Sequence, residues 1–328
     1  MGLQAGLARG EARFVSTLAV RLARIHAPSE REPLTEQPEL DPAKPSNLRE
    51  LFRGHSFHPR RSLGQTFLVD ANIIRKIVRA AELTGDEPVL EIGAGPGAVT
   101  RELAKQARRV IALEIDPVLV RILHATVGDT VTIVQGDVLA VDWESLLGRE
   151  DKGRWRVVAN LPYAITGPAI IRLLELGEWV DRMVIMVQQE VAERLLAKPG
   201  GRTRGILSVL IEAACEITEV GTVAPTCFRP IPEVQSTILT LTFRRPQLVP
   251  DHLLDSFRDL VKGAFGTRRK TLANAIAGAQ RLHLSKEEAL LLLSQCHLDP
   301  RRRAEDLSAD DFLCLTRALE AATTKGQP

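Results

Sequence analysis

The chain of 328 residues holds one tyrosine, Tyr163, with 3 tryptophans, 9 phenylalanines and 4 cysteines. The cysteines, Cys215, Cys227, Cys296 and Cys314, are far apart and show no C-x-x-C spacing. That excludes a thiolate zinc site and predicts reduced core residues rather than a disulfide frame. The 7 histidines have no H-E-x-x-H or similar spacing, so no metal site is expected. No apolar run approaches the roughly 18 residues that a membrane span requires. A cytoplasmic protein without a membrane partner is the expectation. The formal net charge is only +2, so an anionic partner must be met by local patches rather than by a global field.

What is present fits a globular chain, with 45% apolar residues and room for one large domain and one small one. Residues 1–50 read as an N-terminal extension. An amphipathic helix is possible from Phe14 to Ile25, followed by a Pro/Glu-rich, linker-like run from Pro28 to Pro45. Arg9, Arg13, Arg21 and Arg24 suggest a transit peptide, but Glu11 sits among them and serine is sparse. A tail, or an upstream start codon, is the preferred reading.

From Pro88 the pattern is that of an α/β domain. The strand Val89-Leu90-Glu91-Ile92 runs into Gly93-Ala94-Gly95-Pro96-Gly97, and helical periodicity follows from Ala98 to Ala107. Such glycines turn the chain tightly and admit a ligand to the backbone. A second strand, Val110 to Leu113, ends at Glu114, placed to accept hydrogen bonds from ribose hydroxyls. A third, Val131 to Val134, leads to Gly136-Asp137, whose carboxylate suits an adenine amino group. A fourth, Val157 to Ala159, precedes Asn160-Leu161-Pro162-Tyr163, and Met183 to Val187 would be a fifth. Ligands of such sheets lie outside the strands' C-terminal ends, where Gly93, Glu114, Asp137 and Asn160 should converge.

Two features separate this pattern from a dinucleotide site. The turn is G-x-G-x-G rather than G-x-G-x-x-G, and it opens on an acidic strand residue, Glu91. That suits a ligand with an amine and a carboxylate, such as the methionine part of S-adenosylmethionine. The Asn160 to Tyr163 tetrapeptide then offers two acceptors, the Asn160 amide oxygen and a backbone carbonyl held out by Pro162, beside an aromatic face. Both acceptors suit an exocyclic amine on a flat ring. Taken alone, the tetrapeptide could equally be an ordinary strand end with Tyr163 as a packing residue.

These motifs resemble those of the KsgA-type (RsmA) ribosomal RNA adenine dimethyltransferases, in order and in spacing. The likeness runs from Leu63 to Leu315. It takes in Leu63-Gly64-Gln65-Thr66-Phe67-Leu68, the Glu91 to Gly97 turn, Leu113 to Asp116, Gly136-Asp137 and Asn160 to Tyr163. It continues through Val187 to Leu195, Phe228-Arg229-Pro230-Ile231-Pro232-Glu233-Val234-Gln235-Ser236, Arg268 to Asn274 and Arg303 to Ser308. The resemblance implies a Rossmann-like methyltransferase fold, a mixed and mostly parallel seven-stranded sheet, followed by a small all-α domain. The boundaries are 51–246 and 247–328. It implies Thr66, Leu68, Gly93, Glu114, Asp137 and Asn160 as contacts of S-adenosylmethionine, and Asn160, Pro162, Tyr163 and Phe228 as the catalytic set. Two departures stand out: Thr66 where the family often has Asn or His, and Glu233-Val234-Gln235-Ser236 where it has Lys-Val-Asp-Ser.

An extruded base needs a surface on each face. Tyr163 is assigned one and Phe228 the other, in preference to Phe228 as a mere loop anchor. Arg60, Arg61, Arg202, Arg204, Arg268, Arg269 and Lys270 are the candidate phosphate contacts, with His55 and His58 beside Arg60. Arg244-Arg245 and Arg301 to Arg303 are further basic clusters, and the plain alternative for all of them is solvated helix ends. After Pro246 the spacing is helical throughout, with Ser285/Glu288 and Ser308/Asp311 as N-terminal caps.

The expected function is S-adenosylmethionine-dependent N6,N6-dimethylation of two adjacent adenines near the 3′ end of small-subunit rRNA. The expected partner is a pre-30S ribosomal particle, and the expected state a monomer without metal. The alternatives are a large-subunit rRNA methyltransferase of the macrolide-resistance type and a non-catalytic ribosome-assembly or transcription factor of the same fold.

Overall fold

Short runs rich in Val, Ile and Leu, buried on both faces, build the centre of the molecule, as parallel strands under helices require. The computed structural model describes residues 24–25, 40–60, 64–148, 151, 153–267 and 269–325. In chain order the strands are β1 (Arg24–Ile25), β2 (Phe67–Leu68), β3 (Pro88–Ile92), β4 (Arg109–Glu114) and β5 (Val131–Gln135). They continue with β6 (Trp155–Asn160), β7 (Val180–Gln188), β8 (Cys215–Val223), β9 (Phe228–Arg229) and β10 (Ser236–Phe243). The main sheet has the order β1-β5-β4-β3-β6-β7-β10-β8. Strands β3 to β7 pair in parallel, whereas β10 runs antiparallel to both β7 and β8. This is the mixed, mostly parallel seven-stranded sheet, extended at one edge by β1.

Helices α1 (Pro45–Gly54), α2 (Ala71–Ala80), α3 (Ala98–Leu103) and α4 (Pro117–Thr126) come first, then α5 (Trp143–Leu147) and α6 (Thr166–Leu174). After them come α7 (Gln189–Leu195), α8 (Ile206–Ala214), α9 (Leu254–Phe265), α10 (Leu272–Ala277), α11 (Lys286–Gln295) and α12 (Ala309–Lys325). The alternation of side chains along the strands divides the core in two. Val89, Ala112 and Val158 join residues of α2, α3 and α4 in one layer. Leu90, Ile92, Val157 and Ala159 join residues of α5 to α8 in the other. Helices α9 to α12 close a third apolar cluster with Val209, Leu210 and Ala213 of α8, around Phe257 and Phe312. Ser285 and Glu288 form a reciprocal capping box on α11, and Ser308 and Asp311 exchange bonds at the start of α12.

The structure departs from the sequence reading at several points. The helix expected over Phe14 to Ile25 falls on residues outside those described, except for Arg24 and Ile25, which pair as a strand with Gln135 and Val134. The extension does not run unstructured to residue 50. Helix α1 begins at Pro45, and its Leu48 and Leu51 are buried against Phe57, Phe67, Leu119 and Ile122. The cysteines are not all reduced. Cys296 and Cys314 form a disulfide between the end of α11 and α12, while Cys215 and Cys227 are free. Sequence spacing hid the pair because packing, not proximity in the chain, sets the two Cα atoms 5.9 Å apart.

Arg204 is the largest change of role. It is 1% exposed, and its guanidinium donates to Leu307 O, Ala197 O and the Glu212 carboxylate. The other oxygen of Glu212 accepts the Ala309 N–H. Arg204 therefore ties the helices on the main sheet to the C-terminal helices and is not an exposed phosphate contact. Removing one member of a buried pair leaves the other charge uncompensated, so Arg204→Ala should lower unfolding stability by about 3 kcal/mol. Urea denaturation measures this. A loss below about 0.5 kcal/mol, the level of an ordinary surface substitution, would restore Arg204 to the list of surface contacts.

Candidate active site

The cleft lies at the carboxyl ends of β3, β4, β5 and β6, a cavity of about 280 Å³. Its walls include Gln65, Thr66, Leu68, Glu91, Gly93, Glu114, Asp137 and Asn160. Gly93 has φ +72°, and a Cβ there would stand 3.1 Å from the Asn160 carbonyl oxygen. Only glycine permits both that conformation and that approach of two strand ends. At Gly97, φ +92°, a Cβ would come within 2.9 Å of Leu123 and Thr126. That contact sets how closely α3 packs on α4.

Glu114 is buried at the centre of this wall. Its Oε2 accepts the Gly95 N–H at 2.9 Å, and its Oε1 accepts those of Ile115 and Asp116, each at 2.9 Å. The carboxylate thus pins the glycine turn to the end of β4 and also faces the cleft. Burial pushes its pKa up, with the Asp116 charge adding to that, while the three N–H donors oppose it. The ribose role assigned to Glu114 has to be shared with this structural one. Asp137 accepts the Leu139 N–H through Oδ1 at 2.9 Å, which aims the carboxylate at the cleft rim.

A strap formed by residues 64–68 covers the cleft. The Gln65 side chain accepts the Arg60 N–H at 2.8 Å, and Arg60 donates to Asp116 Oδ2 at 2.9 Å. Asp116 in turn caps α4 through its other oxygen. Phe67 wedges its ring under the strap, edge-on to Phe52 and Phe57. Arg60, although its side chain is 59% exposed, is therefore engaged in holding the strap. His55 is likewise used locally, its Nδ1 lying 2.9 Å from Leu51 O at the end of α1. Arg61 and Arg268 lie outside the described residues. Arg269, Lys270 and Arg202 are exposed.

Asn160 ends β6 with its side chain in the cleft wall. Among the described residues nothing hydrogen-bonds to its amide. The Pro162 carbonyl is taken by Ile165 N–H and Thr166 Oγ1, which leaves the Leu161 carbonyl as the second acceptor the tetrapeptide can present. The backbone of Tyr163 opens a short 3-10 turn, but its side chain lies outside what is described. Phe228 does not offer a free ring face. It is 1% exposed, opposite Leu68 in the β2–β9 pair and inside the α2–α4 layer. The loop-anchor role, set aside in the sequence reading, is the one this packing gives it.

Sequence reasoning passed over Ile115, Val138 and Ile165 as cleft-wall residues. Their signal was position, each one to three residues beyond a named motif residue. Glu91 opens the glycine turn, and the sequence pattern links it to a ligand with an amine without showing its burial. Among the described residues its Oε2 is buried in the cleft wall without a hydrogen-bond partner, and burial raises its pKa to about 8, with the Glu114 charge adding to the rise. A buried carboxyl oxygen lacking a partner fits a ligand that brings an ammonium group there. Among the described residues no group of three His, Cys, Asp or Glu side chains is arranged to hold a metal, and no helix is long and apolar enough to cross a membrane.

The profile of the family described as ribosomal RNA adenine dimethylase matches residues 56–320. The chain belongs to that family. It is 41% identical over 274 residues to ribosomal RNA small subunit methyltransferase A of Geobacter metallireducens, covering 82% of this chain and 98% of the relative. It is 43% identical over 286 residues to the protein of that name from Moorella thermoacetica, covering 85% and 98%. Among solved structures, a dimethyladenosine transferase from Plasmodium falciparum superposes with TM-score 0.67 at 26% identity, covering 79% of this chain and 98% of that one. The 23S rRNA methyltransferase ErmE gives TM-score 0.58 at 26% identity, covering 77% and 99%. The family's cofactor is S-adenosylmethionine, and the ammonium-seeking Glu91, with Glu114 and Asp137 on successive strand ends, fits it.

The raised Glu91 pKa has a pH signature. The native state holds a proton that the unfolded chain releases near the ordinary carboxyl value of 4.5, so this group's contribution to stability falls as pH rises from about 4.5 through about 8. Glu91→Gln should remove that slope, gaining on the wild type in thermal melts between these limits. A cationic ligand end placed against Glu91 should also expel the proton near pH 7. Titration calorimetry of S-adenosylmethionine in buffers of different ionisation enthalpy reads this directly. Identical buffer dependence in wild type and Glu91→Gln would mean that Glu91 does not meet the ligand's charge.

Proposed function

We infer that this chain transfers methyl groups from S-adenosylmethionine to N6 of two adjacent adenines near the 3′ end of small-subunit rRNA, on a pre-30S particle. The observation that carries this reading is the Asn160 amide, unpaired among the described residues, in the wall of a cleft that Glu91, Glu114 and Asp137 also line. It is supported by 41–43% identity to proteins named small subunit methyltransferase A, against 26% to ErmE.

S-adenosylmethionine supplies a methyl group on a positively charged sulfur. This chain's residues supply the rest. An adenine N6 is a weak nucleophile because its lone pair is delocalised into the ring. The Asn160 amide oxygen and the Leu161 carbonyl accept its two N–H bonds and favour a tetrahedral nitrogen. One N–C bond forms as one S–C bond breaks, and the surplus proton on nitrogen leaves to water without a dedicated base. Alignment and desolvation, not acid–base chemistry, account for the rate.

The target must also be held. Arg202 lies in the segment between α7 and α8, where the Gly200 N–H donates to Glu305 O at 2.8 Å. The Leu272 N–H donates to Arg302 O at 2.7 Å and the Ala273 N–H to Pro300 O. These bonds gather Arg202, Arg269, Lys270 and the 299–305 segment, far apart in sequence, along one stretch of surface. Other basic clusters are committed elsewhere: Arg244 and Arg245 donate to backbone carbonyls, and Arg301 pairs with Asp299.

Asn160→Ala should reduce methylation of unmethylated small subunits by at least about a hundredfold, with particle binding retained, because phosphate contacts position the RNA while the amide acts on the amine. Near-normal turnover would remove the amide from the mechanism. The double replacement of Arg269 and Lys270 by Ala should lower the slope of log affinity against log salt by about 0.7–0.9 per residue, with S-adenosylmethionine affinity unchanged. Equal slopes for wild type and variant would reduce the cluster to a solvated helix end.

A further inference from the structure

The loop between β9 and β10 carries two exposed aliphatic side chains, Ile231 at 56% and Val234 at 43%. Its ends are held firmly. Phe228 is buried opposite Leu68, whose strand leads out of the strap over the cleft. Ser236 is buried opposite Gln188, and the Gln235 carbonyl accepts the Gln189 N–H at 3.0 Å. The loop therefore spans the cleft's rim from the cofactor side to the carboxyl end of β7. In the sheet, Asn160 pairs with Met186 of β7, and β10 lies on the other side of β7. The start of β10 is thus two strand spacings, roughly 10 Å, from the end of β6 that carries Asn160. Pro230 and Pro232 restrict the backbone between the anchors, so the aliphatic pair is presented on a stiffened turn.

The surroundings say what such a pair can meet. Glu233 stands between the two and is exposed, and its negative charge repels a phosphate. An apolar pair flanking an acid on the rim of an RNA cleft is suited to base faces, not to the backbone. Phe228, buried below, cannot offer them a surface. An adenine brought to Asn160 must leave its stack, which exposes the faces of its neighbours and costs a few kcal/mol. Apolar side chains inserted at such a gap offset part of that cost.

We propose that Ile231 and Val234 form an apolar step that packs against the bases next to the extruded adenine and holds the stack open during methyl transfer. This rests on the rRNA reading above. They are positioning residues and take no part in bond making. Ile115, the exposed residue beside Glu114, belongs to the cofactor wall, and Leu290 and Leu291 lie on α11, in the C-terminal helical cluster.

The test uses the full-length protein and unmethylated small ribosomal subunits, with single-turnover methylation at saturating enzyme. Replacing Ile231 and Val234 together by Ser should slow the methylation step by about tenfold or more, since the apolar contact of two aliphatic side chains is lost where the base is held out. Particle affinity, its salt slope, S-adenosylmethionine affinity and melting temperature should stay within about twofold or a few degrees of wild type. The single variant Ile231→Leu, which keeps the apolar surface beside an intact Val234, should retain most of the wild-type rate. An unchanged methylation step overturns the proposal. So does a loss of particle affinity with the step intact, which would make the loop a docking site for a ribosomal protein. A loss of melting temperature in proportion to the rate overturns it as well, since the pair would then be loop packing. If the wild type fails to methylate small subunits at all, it is the rRNA reading that falls, and this inference with it.

Discussion

The cleft depends on one carboxylate. Glu114 takes three backbone N–H bonds, two from its own strand end and one from Gly95 across the turn. A buried carboxylate is tolerable only when its lone pairs are met, and here the groups that meet them are the backbone of the glycine turn. That turn carries Gly93 up against the Asn160 carbonyl and sets the spacing between the cofactor wall and the tetrapeptide. Asp116, two residues on, continues the chain of bonds to Arg60 and Gln65 and so to the strap. Floor, wall and cover are thus linked through the end of β4.

The same region stores an imbalance. Glu91 stands beside Glu114 with an oxygen that no donor among the described residues reaches, and its raised pKa expresses the cost of that burial. Structures keep such a group where a ligand, rather than the protein, completes its bonding. The Asn160 amide, unpaired among the described residues, is its counterpart, and the two stand on adjacent parallel strands, β3 and β6.

RNA recognition is organised differently. No long basic run exists, and several arginines that look available in the sequence are spent on the fold: Arg204 between two helical layers, Arg60 on the strap, and Arg244 and Arg245 on the backbone carbonyls of Glu212 and Gly177. What remains exposed is assembled from separate segments by backbone bonds such as Leu272 to Arg302 and Gly200 to Glu305. Guanidinium chemistry serves both purposes equally well, because one fork of donors can satisfy carbonyls or phosphates. Composition cannot tell the two uses apart.

The parallel strands, the glycine turn, the acidic residues at successive strand ends and the Asn160 tetrapeptide are all legible in the sequence. These follow from local rules: apolar runs of strand length, positive φ at glycine, and motif residues at fixed offsets from a strand end. The helix caps at Ser285 and Ser308 were legible for the same reason, since a cap needs only its own first turn. Whatever depends on partners distant in the chain emerges only on folding. Leu48 is core because Leu119 and Ile122 come to it, Cys296 meets Cys314 across two helices, Phe228 is buried by β2, and one of the three acceptors of Arg204, the Leu307 carbonyl, lies 103 residues away. Burial, pairing and exposure are properties of assembled surfaces, and no window of sequence contains both sides of them.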